Sequence, residues 1–318
     1  MLDRILEFLY KKEGYVSGED ISRQLGITRQ ALWKHIHELK DLGYDIAALP
    51  HQGYRVIASP DRLFPFEIQP RLNTRIMARK ILYFEALSST MEIALKHAIA
   101  HAPEGTLVVA ESQTKGKGRL GRDWFSPKYK GIYLSLILRP EIAPREASIL
   151  TLLAAVSICE AVKSTTGIDA QIKWPNDILI HNKKAGGILT ELSAEMDKVF
   201  FIIIGMGLNV NNDKRSLYPG STSLCEHMKE GISRLDVVCE SLRRIEDNYL
   251  FFKRNGGQRI LESWRNFNVT LGRRVRVVSH REQVEGEAVD IDSDGGLLVR
   301  GDSGLLDKFL AGDIVHCR

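Results

Sequence analysis

The order of apolar and polar positions divides the chain into three parts with different periods. Over residues 1–57 the apolar residues follow helix spacing. Leu2, Ile5, Leu6 and Leu9 form one stripe, and Ile21, Leu25, Ile27, Leu32, Ile36 and Leu39 form another across two further helices. Gly14, Gly26 and Gly43 punctuate these helices, and Thr28 is placed to cap the third. Two short strands, 44–49 and 53–57, then flank a Pro50-His51-Gln52 turn. Two helices joined by a Gly-containing turn, followed by a strand pair, predict a winged helix-turn-helix over residues 1–60. Pro60, Pro65 and Pro70 mark 61–79 as a linker.

From residue 80 to 270 strands and helices alternate, which predicts a mixed α/β domain within a multidomain α+β chain. The expected strands are 81–84, 106–111, 131–138, 171–174, 178–180, 187–192 and 199–208. The expected helices are 90–100, 145–165 and 235–253. The second of these is apolar nearly all round from 149 to 156, so it should be buried. From Leu271 the period falls to two, as in Arg274-Val275-Arg276-Val277, and Asp294-Gly295-Gly296 makes a turn. This tail, 271–318, is expected to be a small SH3-like β-barrel.

Composition narrows the setting. No apolar run approaches a membrane span, and Asp3, Arg4 and Glu7 break the apolar start MLDRILEFLY, which argues against a secretory leader and a membrane partner. Cys159, Cys225, Cys239 and Cys317 form no C-x-x-C pair, so idle thiols in a reducing cytoplasm are expected. His97 and His101 have the spacing of a metal pair but no third ligand, so no protein metal site is predicted. The net charge of +4 is too small to require a polyanionic partner, and within residues 1–60 eight Lys and Arg offset eight Asp and Glu. DNA binding is instead read from local placement. Thr28, Arg29, Gln30 and Trp33 lie at the start of the third helix, where base edges are reached, and Lys34 is set to meet phosphate. A formally neutral head predicts modest affinity for one copy and a dimer on a two-part operator.

The densest chemistry lies in 114–122, which holds Lys115, Lys117, Arg119 and Arg122 with no acid. Gly116-x-Gly118-x-x-Gly121 matches a dinucleotide fingerprint, but Trp124-Phe125-Ser126-Pro127 follows where a helix should begin, so a Rossmann turn is excluded. What remains is a basic, flexible loop suited to closing over a phosphate-bearing small molecule and ordering as it does so. Lys173-Trp174-Pro175-Asn176-Asp177 sits between two strands. Lys184-Ala185-Gly186-Gly187-Ile188-Leu189 brings paired glycines into an apolar strand, a sign of close ligand approach to the backbone. Lys184 at that strand's mouth is placed to stabilise negative charge. Ser89-Thr90-Met91-Glu92 has the form of a capping box, and Gly205-x-Gly207-x-Asn209 ends another apolar strand.

Taken together, these segments resemble the bifunctional biotin–protein ligases that also repress biotin operons, over nearly the whole chain. The resemblance implies a central domain of class II synthetase, biotin ligase-like fold. It implies activation of biotin by ATP and Mg²⁺ to biotinyl-5′-AMP, then transfer to a lysine of a biotin carboxyl carrier protein domain. Ser89, Thr90, Gln113, Gly116, Lys117, Arg119, Lys184, Gly187 and Gly205 would line the biotin site. Arg119, Arg122, Trp124, Asn176, Asp177 and Asn209 would hold ATP and the adenylate, with Asn176 and Asp177 near the nucleotide and its Mg²⁺. Lys184, Arg119 and Asp177 would be the catalytic set. Operator DNA and a homodimer formed on adenylate binding are the further partners implied. The chain departs from the family in three places: Lys117 stands where many members have Arg, Met91 where Asn is frequent, and 211–223 lacks a Trp. A lipoate- or octanoate-activating ligase, or a repressor without ligase activity, are the alternatives.

Overall fold

The computed structural model describes residues 1–278, 283–310 and 312–316, in two compact units, Met1–Pro70 and Arg71–Arg318. In the first unit the amphipathic stripes become α1 (Leu2–Lys11), α2 (Gly18–Leu25) and α3 (Arg29–Asp41), followed by the antiparallel pair β1 (Asp45–Leu49) and β2 (Gly53–Ala58). Ile5, Leu6, Leu9, Ile21, Leu32, Ile36 and Leu39 are all buried. Gly26, left-handed at φ 67°, ends α2, and Thr28 Oγ1 caps α3 by accepting the Ala31 N–H at 3.1 Å. The Pro-marked stretch is more than a linker. Pro65 opens α4 (Pro65–Arg71), a position for which its fixed φ is suited, and Leu63, Phe64 and Ile68 are buried.

One glycine decides the wing. Gly53 has φ +106°, and a Cβ on it would lie 1.9 Å from the Val16 carbonyl oxygen. That carbonyl accepts the Tyr54 N–H at 2.9 Å, while Val16 donates to Tyr54 O at 2.8 Å. Gly53→Ala must therefore break this bridge as well as hold a left-handed alanine, a cost of at least ~1–3 kcal/mol. The expected outcome is faster hydrogen exchange at the Tyr54 amide and a lower melting temperature, measured by mass spectrometry and calorimetry.

The second unit is built on a seven-stranded sheet in the order β3-β4-β5-β9-β8-β7-β6. Its strands are β3 (Ile81–Phe84), β4 (Leu107–Ala110), β5 (Gly131–Leu138), β6 (Gln171–Lys173), β7 (Asp177–Ile180), β8 (Lys183–Ala194) and β9 (Val199–Asn209). Only β3 and β4 run parallel. The helices are α5 (Thr90–Ile99), α6 (Ala147–Thr166), α7 (Arg234–Asn255) and α8 (Gln258–Phe267), the last absent from the sequence reading. Met91, Ala94 and Ala98 of α5 pack on Val108, Ile137, Phe201 and Ile203, with Leu189 beside them. Thr190, next along β8, hydrogen-bonds Thr151 of α6 at 2.8 Å. Consecutive strand residues point to opposite faces, so α5 and α6 cover opposite sides of the sheet. Against the expectation that no apolar run approaches a span, Pro144–Thr166 is long and apolar enough to cross a membrane by length and composition. However, 72% of that apolar stretch is buried inside the protein, so packing explains the apolar circumference of α6.

The tail forms five antiparallel strands, β10 (Arg274–Val278), β11 (Gln283–Ile291), β12 (Leu297–Gly301), β13 (Leu306–Phe309) and β14 (Asp313–His316). Their order is β13-β12-β11-β10-β14, so the expected closed barrel is not found among the described residues. β14 pairs back onto β10, leaving it and β13 as opposite edges of an open sheet. This sheet is docked through Trp174, whose ring N–H donates to Gly295 O at 3.1 Å and whose backbone N–H donates to Thr270 Oγ1 at 3.0 Å. Cys159 and Cys239 are buried and Cys225 is partly so, while Cys317 lies outside the described residues.

Candidate active site

Glycines in adjacent strands create the floor of the site. Gly187 in β8 and Gly207 in β9 are register partners. A Cβ on Gly207 would sit 2.6 Å from the Trp124 indole, and one on Gly187 would sit 3.6 Å from the same ring. The missing side chain of Gly207 thus lets Trp124 lie against the sheet, while a Cβ on Gly187 would be in ordinary contact with it. Beside them Gly205 leaves room for Met91, whose sulfur would be 2.6 Å from a Cβ there. Above this floor opens a cavity of about 380 Å³.

Its inner end is polar and tightly bonded. Gln113 Oε1 accepts from Thr90 N at 2.8 Å and Thr90 Oγ1 at 3.1 Å, and Gln113 Nε2 donates to Ser126 Oγ at 2.9 Å. Ser135 Oγ donates to Thr90 Oγ1 at 2.8 Å. Ser89, fully buried in the cavity wall, is the exception, because its hydroxyl has no hydrogen-bond partner. The predicted capping box accounts for none of this. Ser89 caps nothing, and Glu92 instead accepts from Ser88 Oγ at 2.6 Å and pairs with Lys117 at 2.9 Å. Those two contacts, the hydrogen bond from Ser88 first, hold the Glu92 carboxyl below its ordinary pKa. A buried unpaired hydroxyl is costly, and it marks where a polar head group fits.

The outer end is cationic. Lys117, Arg119, Arg122, Lys173 and Lys184 line the cavity against Asp123, Asp177 and Asp313. Lys184 Nζ lies 2.6 Å from Asp177 Oδ1 and 5.7 Å from the Trp124 ring centroid. Its backbone is clamped, since Lys184 N donates to Gly220 O and Thr222 N donates to Lys184 O. Arg119 donates to Asn176 Oδ1 at 3.1 Å and to Gly312 O at 3.2 Å, and Arg122 pairs with Asp313. Burial lowers the Arg119 pKa, while Asp313 and Asp177 raise it.

The basic loop is a formed turn here. Gly118 N donates to Arg122 O at 2.7 Å, Trp124 N donates to Gly116 O at 2.8 Å, and Leu120 takes a left-handed φ of 54° at the tip.

Most of the residues singled out by sequence meet in this cavity: Ser89, Thr90, Gln113, Lys117, Arg119, Arg122, Trp124, Asn176, Asp177, Lys184, Gly187 and Gly205. Two do not line it. Gly116 packs beneath the loop, where a Cβ would be 2.4 Å from Trp124 O. Asn209 is buried and donates to Thr222 O at 3.1 Å, bracing the segment that clamps Lys184. Sequence reading missed Tyr218, Ser221 and the stretch Gly312–Val315, which arrives from the C-terminal sheet. Nothing in the composition of that tail signals it. Among the described residues, no group of three or more His, Cys, Asp or Glu could hold a metal, and His101 lies beyond the end of α5.

In the first unit, Arg29, Gln30, Trp33 and Lys34 are exposed on α3. Trp33 packs against His37 with ring centroids 3.8 Å apart and planes tilted by 40°. The Thr28 hydroxyl is engaged as the helix cap, and Arg29 pairs with Glu19 of α2 at 2.5 Å.

Residues 83–209 match the sequence model of the biotin/lipoate A/B protein ligase family, 2–55 an HTH domain, and 270–317 the biotin protein ligase C terminal domain. The chain is 40% identical to the bifunctional ligase/repressor BirA of Bacillus subtilis over 304 residues, covering 94% of this chain and 93% of that protein. It is 27% identical to the Escherichia coli protein of the same name, across 94% and 92% of the two chains. A solved structure of biotin protein ligase from Aquifex aeolicus in complex with biotin and ATP superposes with a TM-score of 0.64 at 30% identity. That match covers 76% of this chain and 99% of the other.

Proposed function

The chain belongs to the biotin/lipoate A/B protein ligase family, among its bifunctional ligases and repressors, and from that premise we propose how the cavity works. Biotin's ring head occupies the inner end, against Ser89, Thr90 and Gln113, and its carboxylate points to the cationic end. The observation that carries this is the cavity's two-part chemistry: a buried hydroxyl without a partner at one end, and five cations facing three carboxylates at the other. Adenylation concentrates charge on the α-phosphate, so cations serve it better than a protein nucleophile. Lys184 stabilises the attacking carboxylate and the phosphate, with Asp177 setting its position. Arg119 and Arg122 hold the adenylate, and Trp124 covers it from the loop. Release of pyrophosphate leaves biotinyl-5′-AMP, whose carbonyl carbon is then attacked by a lysine of a carrier protein domain.

Mg²⁺ in this reading arrives with the nucleotide phosphates. The nearby acids are already engaged, Asp177 by Lys184 and Asp313 by Arg122, so they do not fit a protein metal cage. The four-part division 1–60, 61–79, 80–270 and 271–318 is a functional one, and α4 occupies part of its second segment. The head reads an operator through Arg29, Gln30 and Trp33, with Lys34 on phosphate, in a cytoplasmic homodimer that forms when the adenylate is bound. The formal neutrality of residues 1–60 supports a two-copy complex, because one head has little bulk electrostatic attraction to DNA. The experiment is to supply biotin alone or biotin with ATP, then follow acceptor labelling, operator gel shift and sedimentation. ATP-dependent gain of all three is expected. Pyrophosphate exchange with lipoate but not biotin would reverse the choice of acid.

A further inference from the structure

Three lysines face the cavity, and their surroundings differ. Lys184 is paired with Asp177 at 2.6 Å. Lys173, at the end of β6 and half-buried, pairs with Asp177 through the strand register, but its side chain makes no hydrogen bond or ion pair among the described residues. A half-buried ammonium without a close counter-ion is disfavoured relative to the neutral amine. The other titratable groups of the wall are mostly engaged: Lys117 with Glu92, Asp177 with Lys184, and Asp313 with Arg122. Asp123 and Tyr218 remain, and no histidine lines the cavity among the described residues. A carboxylate is weaker as a base than a lysine amine by about six powers of ten, so Asp123 is poorly matched to an ammonium.

Resting on the ligase reading above, we infer that Lys173 is a further catalytic residue, the base that takes the proton from the acceptor lysine in the transfer step. The acceptor arrives as an ammonium, and neutral Lys173 removes one proton and exposes its lone pair. A C–N bond forms at the biotinyl carbonyl carbon, and the C–O bond to phosphate breaks with its electron pair going to AMP. The second amine proton passes to water, and Lys173 returns its own proton to solvent. Lys184, Arg119 and Arg122 remain as counter-ions for the phosphate, which leaves Lys173 free for the proton. Four charged groups bear on its ionisation. Burial is the largest influence and lowers its pKa, Lys184 and Arg122 act in the same direction, and Asp177 and Asp313 oppose them. A lowered pKa favours the neutral amine, the form that general-base catalysis requires.

Arginine separates charge from basicity, because it keeps the cation and cannot give up its proton. The test uses the full chain loaded with biotinyl-5′-AMP and mixed with an acceptor carrier domain in the absence of ATP. Single-turnover labelling is followed by mass spectrometry across pH, and retention of radiolabelled adenylate is measured in parallel. For the unmodified enzyme the rate should rise with pH and level off as Lys173 becomes neutral. In Lys173→Arg the transfer rate should fall about 100-fold and lose that plateau, rising only as the acceptor ammonium itself loses its proton, while adenylate retention stays within about threefold. Lys173→Gln should lose the same plateau. Transfer by Lys173→Arg within about threefold of the unmodified enzyme, with the plateau unmoved, would overturn the inference and make Lys173 a phosphate counter-ion only. An unmodified enzyme that leaves the acceptor unlabelled would instead overturn the ligase reading, and the inference with it.

Discussion

Lys184→Ala is expected to slow formation of biotinyl-5′-AMP by about 100- to 1,000-fold, as removal of one preorganised donor from a developing oxyanion does. The preorganisation is visible in how the side chain is held. Its backbone is hydrogen-bonded on both sides by the 220–222 segment, and Asp177 fixes the ammonium at 2.6 Å. No reorganisation is then needed as charge develops on the phosphate. Pyrophosphate exchange with biotin measures the step directly. Lys184→Arg should recover little, because a planar fork cannot replace a compact ammonium between Asp177 and the Trp124 face. Exchange by Lys184→Ala within about threefold of the unmodified rate would remove Lys184 from the chemistry.

The sequence foretold elements better than it foretold their closure. Helix stripes and strand runs are local, so α1 to α3 and the strands β3 to β9 are visible in the spacing of apolar residues. Whether five short strands close into a barrel depends on which edge β14 joins, and alternation alone does not encode that choice. α8 has its buried apolar residues Ile260, Leu261 and Trp264 in only ten positions, too short a run to stand out from the helix before it.

The site was legible where one motif carries its own chemistry, as at Arg119, Asp177 and Lys184, and illegible where distant chain segments meet. Asp313 reaches Arg122 from 191 residues away, and no motif near Asp313 announces it. Ser89 is the instructive failure. Its spacing to Glu92 obeys the capping-box rule, yet the structure leaves the hydroxyl unpaired and gives Glu92 to Ser88 and Lys117. A local rule broken without local compensation is what a binding site looks like before its ligand is considered.

Arg119→Ala should act on a different step, and the contrast with Lys184 is the sharper test of the site. Arg119 joins three segments at once: the loop that carries it, Asn176 at 3.1 Å, and Gly312 of the C-terminal sheet at 3.2 Å. Its role in the proposed mechanism is to keep the loop closed over the adenylate, so removing it should hasten loss of the intermediate more than it slows its synthesis. A charge-assisted hydrogen bond is worth roughly 1.5–3 kcal/mol, which corresponds to about a 10- to 150-fold shorter residence time. Gel filtration of enzyme loaded with radiolabelled adenylate would read this, and pyrophosphate exchange on the same sample would give the synthetic rate. Because the proposed dimer forms on the adenylate, operator binding should weaken with residence time in Arg119→Ala and should recover when excess biotin and ATP keep the site filled. In Lys184→Ala, preformed biotinyl-5′-AMP should restore the gel shift without restoring exchange. Equal and small effects of the two substitutions in both assays would mean that the loop and the strand lysine do not divide retention from formation.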